Sequence, residues 1–199
     1  MNLLTIAVTV LFAAVLGLMI VVWALSRQIG ILFERVSPLG ALVTDAGPEV
    51  GAAAPTFELA SIISGRLEKI GGRTGHSTLL FFLSPTCPVC KKLLPVLRHI
   101  EADERGWLRL VLASDGDADE HRRYAQAQRL TGYPYLLSAE LGMAFRVSRL
   151  PFAVLIGEDG RVQAKGLVNN REQIESLFNA KELGVSSVQQ YLERTHPSV

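Results

Sequence analysis

Cysteine is nearly absent from the chain. Its 199 residues contain two, Cys87 and Cys90. Two thiols exclude a disulfide scaffold and a four-ligand zinc site. A structural staple between them would close a tiny loop, where loop-closure stabilisation is smallest. Charge of one sign is also lacking: the net charge is +1 and no Lys/Arg-rich run occurs, so nothing supports nucleic-acid binding. No internal repeat is visible. The hydrophobic share of 49% against 20% charged is enough for a core. The length suggests one main domain of roughly 100–200 residues plus extras.

The first stretch to stand out is Leu3–Leu25, 23 residues without a charge. At about 1.5 Å per helical residue it spans a bilayer with some tilt. Trp23 lies near its far end, where an interfacial indole is favoured. Ala24-Leu25-Ser26 resembles a signal-peptidase site. The apolar run is too long for a signal peptide, however, and no Lys or Arg precedes it, so an uncleaved anchor is expected. Arg27 and Arg35 follow the apolar run, which by the positive-inside rule places the rest of the chain in the cytoplasm.

The second stretch is Ser84–Pro95, Ser-Pro-Thr-Cys-Pro-Val-Cys-Lys-Lys-Leu-Leu-Pro. It puts the two cysteines at C-x-x-C spacing after the apolar run Leu79–Leu83 and before a helical pattern. A dithiol at a strand-to-helix turn is a redox arrangement. Thr86 is expected to cap a helix beginning at Cys87, with Pro88 in the first turn, where its missing N–H costs nothing. Free backbone N–H groups and the helix dipole then favour the thiolate of Cys87. Cys90, one turn in, should be more buried and less acidic. Cys87 is thus the expected nucleophile and Cys90 the resolving thiol. Pro95 should kink the helix. Lys91 and Lys92 read as solvated surface lysines.

Elsewhere the pattern is plain. Arg27–Val36 continues the membrane helix as far as Ser37-Pro38, and 39–54 reads as a linker. A hairpin is expected from Phe57–Ile63 and Arg66–Ile70. Thr78–Leu83 should be a strand buried on both faces, and Trp107–Ala113 a second. The acidic Asp115–Asp119 lacks the EF-hand glutamate and spacing, so it reads as the start of a polar, exposed helix over Asp119–Leu130. A short strand is expected at Tyr133–Leu137 and a short helix at Glu140–Phe145. Gly157-Glu-Asp-Gly160 predicts a hairpin between Ala153–Ile156 and Arg161–Leu167. Asn170 with Gln173 fits a capping box, opening a helix that stops at Leu183-Gly184; Ser187–Arg194 suggests a terminal helix. His99 falls on the active-site helix about two and a half turns past Cys90. His76, His121 and His196 fall in loops or at helix ends, and all four histidines read as surface residues.

The order strand, helix, strand, helix, strand hairpin, helix implies an α/β domain with helices on both faces of a mixed central sheet. With C-x-x-C after the first central strand it resembles a thioredoxin-like fold preceded by one transmembrane helix. The expected boundaries are an anchor at 1–26, a juxtamembrane helix and linker at 27–49, and the thioredoxin-like domain at 50–199. The resemblance implies that Pro151, before the strand Phe152–Ile156, is a cis proline facing Cys87 and Cys90. There it would present the preceding backbone to a client and keep metal from the thiolates. No metal or other cofactor is expected. Two departures from ordinary thioredoxins stand out. Thr86 replaces the tryptophan before the first cysteine, and Phe81 replaces a buried aspartate that aids proton transfer to the resolving thiol.

The entry Val50-Gly-Ala-Ala-Ala-Pro-Thr-Phe57 is similar to TlpA/ResA-like thioredoxins and to peroxiredoxins. The latter need Thr where Ser84 stands, which disfavours a peroxidase. A closer resemblance runs over almost the whole chain. The N-terminal anchor, Arg27-Gln-Ile-Gly-Ile-Leu-Phe-Glu-Arg35, Ser37-Pro-Leu-Gly-Ala41, Phe82–Pro95 and Arg149-Leu-Pro-Phe152 look like the MauD methylamine-utilisation family. That resemblance implies an accessory factor for methylamine dehydrogenase in Gram-negative bacteria, aiding processing, export or disulfide maturation of its β (small) subunit. It also implies a single-pass inner-membrane protein with a periplasmic C-terminal domain, against the two arginines. The bilayer through residues 3–25 and an unidentified membrane redox partner complete the expected partners.

Three functional readings follow: a thiol–disulfide oxidoreductase, whether specific to that subunit or a general TlpA/ResA-like reductase; a non-catalytic chaperone for the subunit; and a copper or haem-thiol delivery factor. The third is disfavoured because no Met or His lies near the dithiol in sequence.

Overall fold

The computed structural model describes residues 2–35 and 47–183. The chain divides into two compact units, Met1–Val43 and Thr44–Val199. The expected terminal helix at Ser187–Arg194 and the end of the first helix at Val36 lie outside the described residues.

In the first unit, helix α1 spans Leu3–Arg35. Its segment Thr5–Trp23 is long and apolar enough to cross a membrane, and its described residues are exposed. Phe12, Leu18 and Trp23 are exposed, as side chains of a lipid-facing helix would be. The hydroxyl of Thr9 is satisfied within the helix, donating to the carbonyls of Thr5 at 3.0 Å and Ile6 at 2.9 Å. Such a back-bond leaves the hydroxyl paired without leaving the helix.

The second unit opens with an antiparallel hairpin of β1 (Phe57–Ala60) and β2 (Leu67–Ile70). The expected first strand stops three residues early, because Ser61–Ile63 turn toward the central sheet. Ile62 N–H donates to Tyr135 O, and Ser61 Oγ accepts from Tyr135 N–H at 3.1 Å. The central sheet follows the order β5-β4-β3-β6-β7. Strands β3 (Ser77–Phe82), β4 (Leu108–Ser114) and β5 (Tyr135–Leu137) are parallel. Strands β6 (Phe152–Ile156) and β7 (Val162–Leu167) form the antiparallel edge. The turn between these last two ends at Gly160, with φ +79°; a Cβ there would stand 2.5 Å from the Gly72 carbonyl oxygen, so only glycine fits.

The apolar run of β3 is buried along its whole length, as its continuous pattern implies. Side-chain alternation sorts the sheet into two cores. On one face Leu79, Phe81, Leu110, Leu112 and Leu155 pack with Leu94 and Leu97 of α2 (Pro88–Asp103), Tyr124 of α3 (Ala118–Ala127) and Ile174 of α5 (Arg171–Leu183). On the other, Leu80, Phe82, Val111 and Val154 pack with Leu141 of α4 (Ala139–Ala144), Phe145, and Ile70 of the hairpin. Crossovers from β3 to β4 and from β4 to β5 advance in the same direction, so right-handed connection puts α2 and α3 side by side on one face.

Helix starts follow local chemistry. Asp117 caps α3, accepting from Glu120 N–H at 2.8 Å, as the acidic stretch suggests. Asn170 Oδ1 accepts from Gln173 N–H at 2.9 Å, and Gln173 Oε1 accepts from Asn169 N–H at 2.6 Å, opening α5. Helix α3 departs from its expected exposed character. His121, Tyr124 and Ala125 are buried, because the parallel crossover presses that face of the helix onto the sheet.

Candidate redox site

Strand β3 ends at Phe82, and the chain turns through Leu83–Thr86 into α2. Leu83 N–H donates to Ala113 O, keeping the turn anchored to β4. The expected cap at Thr86 is replaced by Cys87, whose backbone is extended (φ −79°, ψ 111°) and whose Sγ accepts from Cys90 N–H at 3.1 Å. The Thr86 hydroxyl instead bonds the Ser84 hydroxyl at 2.9 Å, within a tight turn closed by Cys87 N–H to Ser84 O at 3.1 Å. Pro88 occupies the first helical position, where no donor is lost. Sulfur at the cap is thus set against an unpaired helical N–H and the positive end of the helix dipole.

Cys87 and Cys90 are joined as a disulfide, with Cα atoms 5.3 Å apart. Cys87 is half-buried, while Cys90 is fully buried in the core beneath it. This asymmetry gives an attacking reagent access to one sulfur only. Pro95 lies inside α2 and has no N–H for the Lys91 carbonyl. Lys91 and Lys92 are exposed, as expected.

The Leu150–Pro151 peptide bond is cis. Phe152 pairs with Phe82 across β6 and β3. Pro151 and Leu83 therefore follow one another across the same sheet edge, and the dithiol loop and the proline loop leave neighbouring strands together. Pro151 is buried, and its carbonyl accepts from Val168 N–H at 3.2 Å. Beside this edge a cleft of about 370 Å³ opens between α4 and the segment leading to Pro151; Leu83, Ser114, Met143, Arg149 and Leu150 are among its walls. Met143 and Leu150 are exposed apolar side chains on it.

Phe81 is fully buried in the core that also holds Cys90. Among the described residues Glu68 is the buried carboxylate, and it is paired with Arg109. Burial holds the phenols of Tyr124 and Tyr135 above their ordinary ionisation range, so both are neutral groups.

His121 is the residue the sequence reading misplaced. It is 2% exposed, with Nδ1 2.6 Å from the Tyr135 hydroxyl and Nε2 2.9 Å from Asp115 O. The i, i+3, i+4 spacing of His121, Tyr124 and Ala125 is the sequence signal for that buried face. His76 and His99 are exposed, and His99 pairs with Asp103 at 3.5 Å. His196 lies outside the described residues.

The Redoxin family profile matches residues 49–181. The methylamine utilization protein MauD of Paracoccus denitrificans is 46% identical over 184 residues, covering 92% of this chain and 90% of its own. That of Methylorubrum extorquens is 45% identical over 184 residues, covering 92% and 88%. The chain belongs to the MauD family. Its function therefore falls in methylamine utilisation. StoA from Bacillus subtilis superposes with TM-score 0.54 at 23% identity, covering 62% of this chain and 96% of that one. The thioredoxin domain of a thiol–disulfide oxidoreductase from Bacteroides vulgatus gives TM-score 0.55 at 16% identity, covering 64% and 96%. The fold is thioredoxin-like, as the dithiol and element order imply.

Proposed function

We propose that this MauD-family chain is a membrane-anchored thiol–disulfide oxidoreductase that matures the β subunit of methylamine dehydrogenase in the periplasm. The observation that carries the reading is the helix-capping Cys87 bonded to the buried Cys90, with cis Pro151 immediately before β6, the strand beside β3. Residues 1–26 serve as anchor, 27–49 as spacer and 50–199 as the working domain. A disulfide-rich client outside the cytoplasm is the kind of substrate that needs such a catalyst. That argument outweighs Arg27 and Arg35, a weak signal for a large translocated domain.

In the reducing direction the Cys87 thiolate attacks one sulfur of a client disulfide, and one client thiolate leaves and takes a proton. The Cys87–client mixed disulfide then receives the Cys90 thiolate at Cys87 Sγ. The Cys87–Cys90 bond forms, the second client thiolate departs, and two electrons have moved to the client. Reversal oxidises a client dithiol. Leu150, ahead of Pro151, offers its backbone beside the reacting sulfur, and Met143 and Leu150 offer apolar surface to the flanking client residues.

The test is Cys90→Ser in the native host. The variant lacks the resolving thiol and should accumulate a mixed disulfide through Cys87, with the β subunit identified in the adduct by mass spectrometry. Absence of any disulfide-linked partner, with growth on methylamine retained by the Cys87→Ser/Cys90→Ser double variant, would establish the chaperone reading instead.

A further inference from the structure

The cleft beside the dithiol edge lies across the ends of neighbouring strands. In the ladder, Phe82 of β3 stands between Ala113 of β4 and Phe152 of β6. Two residues past that rung on one side comes Asp115, which follows β4. Two residues past it on the other comes Leu150, ahead of β6, with Arg149 next to it. Leu83 lies between them, and its carbonyl accepts from the Ser114 hydroxyl at 2.7 Å. Leu83, Asp115, Arg149 and Leu150 all line the cleft. Strands β4 and β6 are two strand spacings apart, so the backbones at Asp115 and Arg149 stand on the order of 10 Å apart across it. Arg149 belongs to the end that adjoins Pro151, and Asp115 to the end further from it.

Both charges are left unmatched. Arg149 and Asp115 are exposed, and neither side chain has an ion-pair partner among the described residues. Elsewhere on this unit exposed arginines do meet carboxylates: Arg122 meets Asp119 and Arg171 meets Glu175, each at 2.6 Å. Apolar surface on the same cleft is also left to solvent. Met143 is 68% exposed, although Leu141 on the same helix is fully buried, and Leu150 is exposed too. The volume of about 370 Å³ falls in the range of sites that hold a ligand or a short peptide segment. The cleft is continuous with the exchange site, because Leu83 leads into the Cys87 loop and Leu150 into Pro151. A matching occupant brings a carboxylate to Arg149 near the reacting sulfur, an apolar side chain to Met143 and Leu150, and a cation to Asp115.

We propose that this cleft selects clients by the order of their charges, with Arg149 and Asp115 as the specificity-determining residues. The preferred client segment is extended. It carries an acidic residue close to its reactive cysteine and a basic residue further out. An extended chain advances about 3.3 Å per residue, so crossing the cleft sets the two charges about three positions apart. The proposal rests on the reading of Cys87 and Cys90 as the exchanging pair. A segment of the reverse order puts like charges together at both ends, so discrimination comes from repulsion as well as attraction. The chemistry is unchanged. Cys87 and Cys90 give two electrons to the client disulfide, the Cys87–Cys90 bond forms, and their two protons leave on the two client thiols.

The experiment uses the reduced full chain in a non-ionic detergent. The substrates are symmetrical disulfides of short peptides with one cysteine and identical composition. One peptide has glutamate beside the cysteine and lysine about three positions further out; its twin has the two exchanged. Each pair is made on the N-terminal and on the C-terminal flank. The rate constant for oxidation of the protein is divided by that for dithiothreitol with the same disulfide, which cancels intrinsic reactivity. Wild type should favour the glutamate-proximal peptide on one flank by about two- to fivefold, the range of an exposed ion pair. Added salt should erode the preference. Arg149→Gln and Asp115→Asn should each shrink it, and Arg149→Glu combined with Asp115→Lys should reverse it. Arg146→Gln removes the same charge from an exposed position outside the cleft and should leave it intact. Equal rates for the twins, equal preference on both flanks, or a preference that survives the cleft variants would overturn the proposal. So would its loss in Arg146→Gln, which would assign it to the overall field. Exchange without any charge preference would remove this inference alone. Failure of wild type to reduce any of the peptides would remove the dithiol reading with it.

Discussion

The backbone N–H of Cys90 points at the sulfur of Cys87, 3.1 Å away, from inside the first turn of α2. A sulfur that caps a helix is treated unequally from its partner. Negative charge on Cys87 is met by this donor and by the helix dipole, while charge on Cys90 must form in an apolar core.

Reduced protein should therefore be alkylated at Cys87 at lower pH than at Cys90. Iodoacetamide labelling across pH, read by peptide mass spectrometry, checks this; equal labelling of the two residues would show that the cap does not govern the chemistry.

Restoring an acid at Phe81 should not create an ordinary thioredoxin. The ring is fully buried, and its loss costs about 3–5 kcal/mol before the cost of an unpaired carboxyl group is added. Urea unfolding of Phe81→Asp should show a loss of that order or no folded protein. A midpoint within experimental error of wild type would contradict the packing described.

Two ion pairs should respond differently to truncation. Glu68 of the hairpin is buried and paired with the half-exposed Arg109 of β4. Arg109→Met strands that carboxylate and should destabilise by roughly 3 kcal/mol, discounted where water reaches Glu68. Asp119 and Arg122 form a 2.6 Å pair on the exposed side of α3. Asp119→Ala should change stability by less than about 1 kcal/mol. Chemical denaturation of both variants makes the comparison.

Alkaline pH should weaken the domain through its tyrosines. Burial raises the folded-state ionisation of Tyr135 and Tyr124 above the ordinary value of 10.0. Below that value the phenols are neutral in both states and the stabilisation is complete. Above it the unfolded chain ionises first, so stability falls as pH rises toward the folded-state values. Melting temperature should decline above about pH 10, less steeply in Tyr135→Phe. A decline of equal slope in that variant would assign the effect elsewhere.

A membrane-impermeant thiol reagent applied to intact cells after mild reduction should label Cys87. Labelling only after lysis would place the domain in the cytoplasm, on the side that Arg27 and Arg35 favour.

Continuous apolar runs and strong turn signals were legible in the chain by itself. Leu79–Leu83 could only be a buried strand, Gly157–Gly160 only a tight hairpin, and Cys-Pro-Val-Cys only a helix-entry dithiol, because each rests on local sterics or periodicity. Leu3–Leu25 announced in the same way a helix long and apolar enough to cross a membrane. Tertiary packing decided the rest. Whether Thr86 or Cys87 caps α2 depends on where the Ser84 turn directs each side chain. Whether α3 is exposed depends on which side of the sheet its crossover takes. That His121 meets the Tyr135 hydroxyl could be known only once β5 had been laid beside β4. Such pairings join residues distant in sequence, and no local pattern carries them.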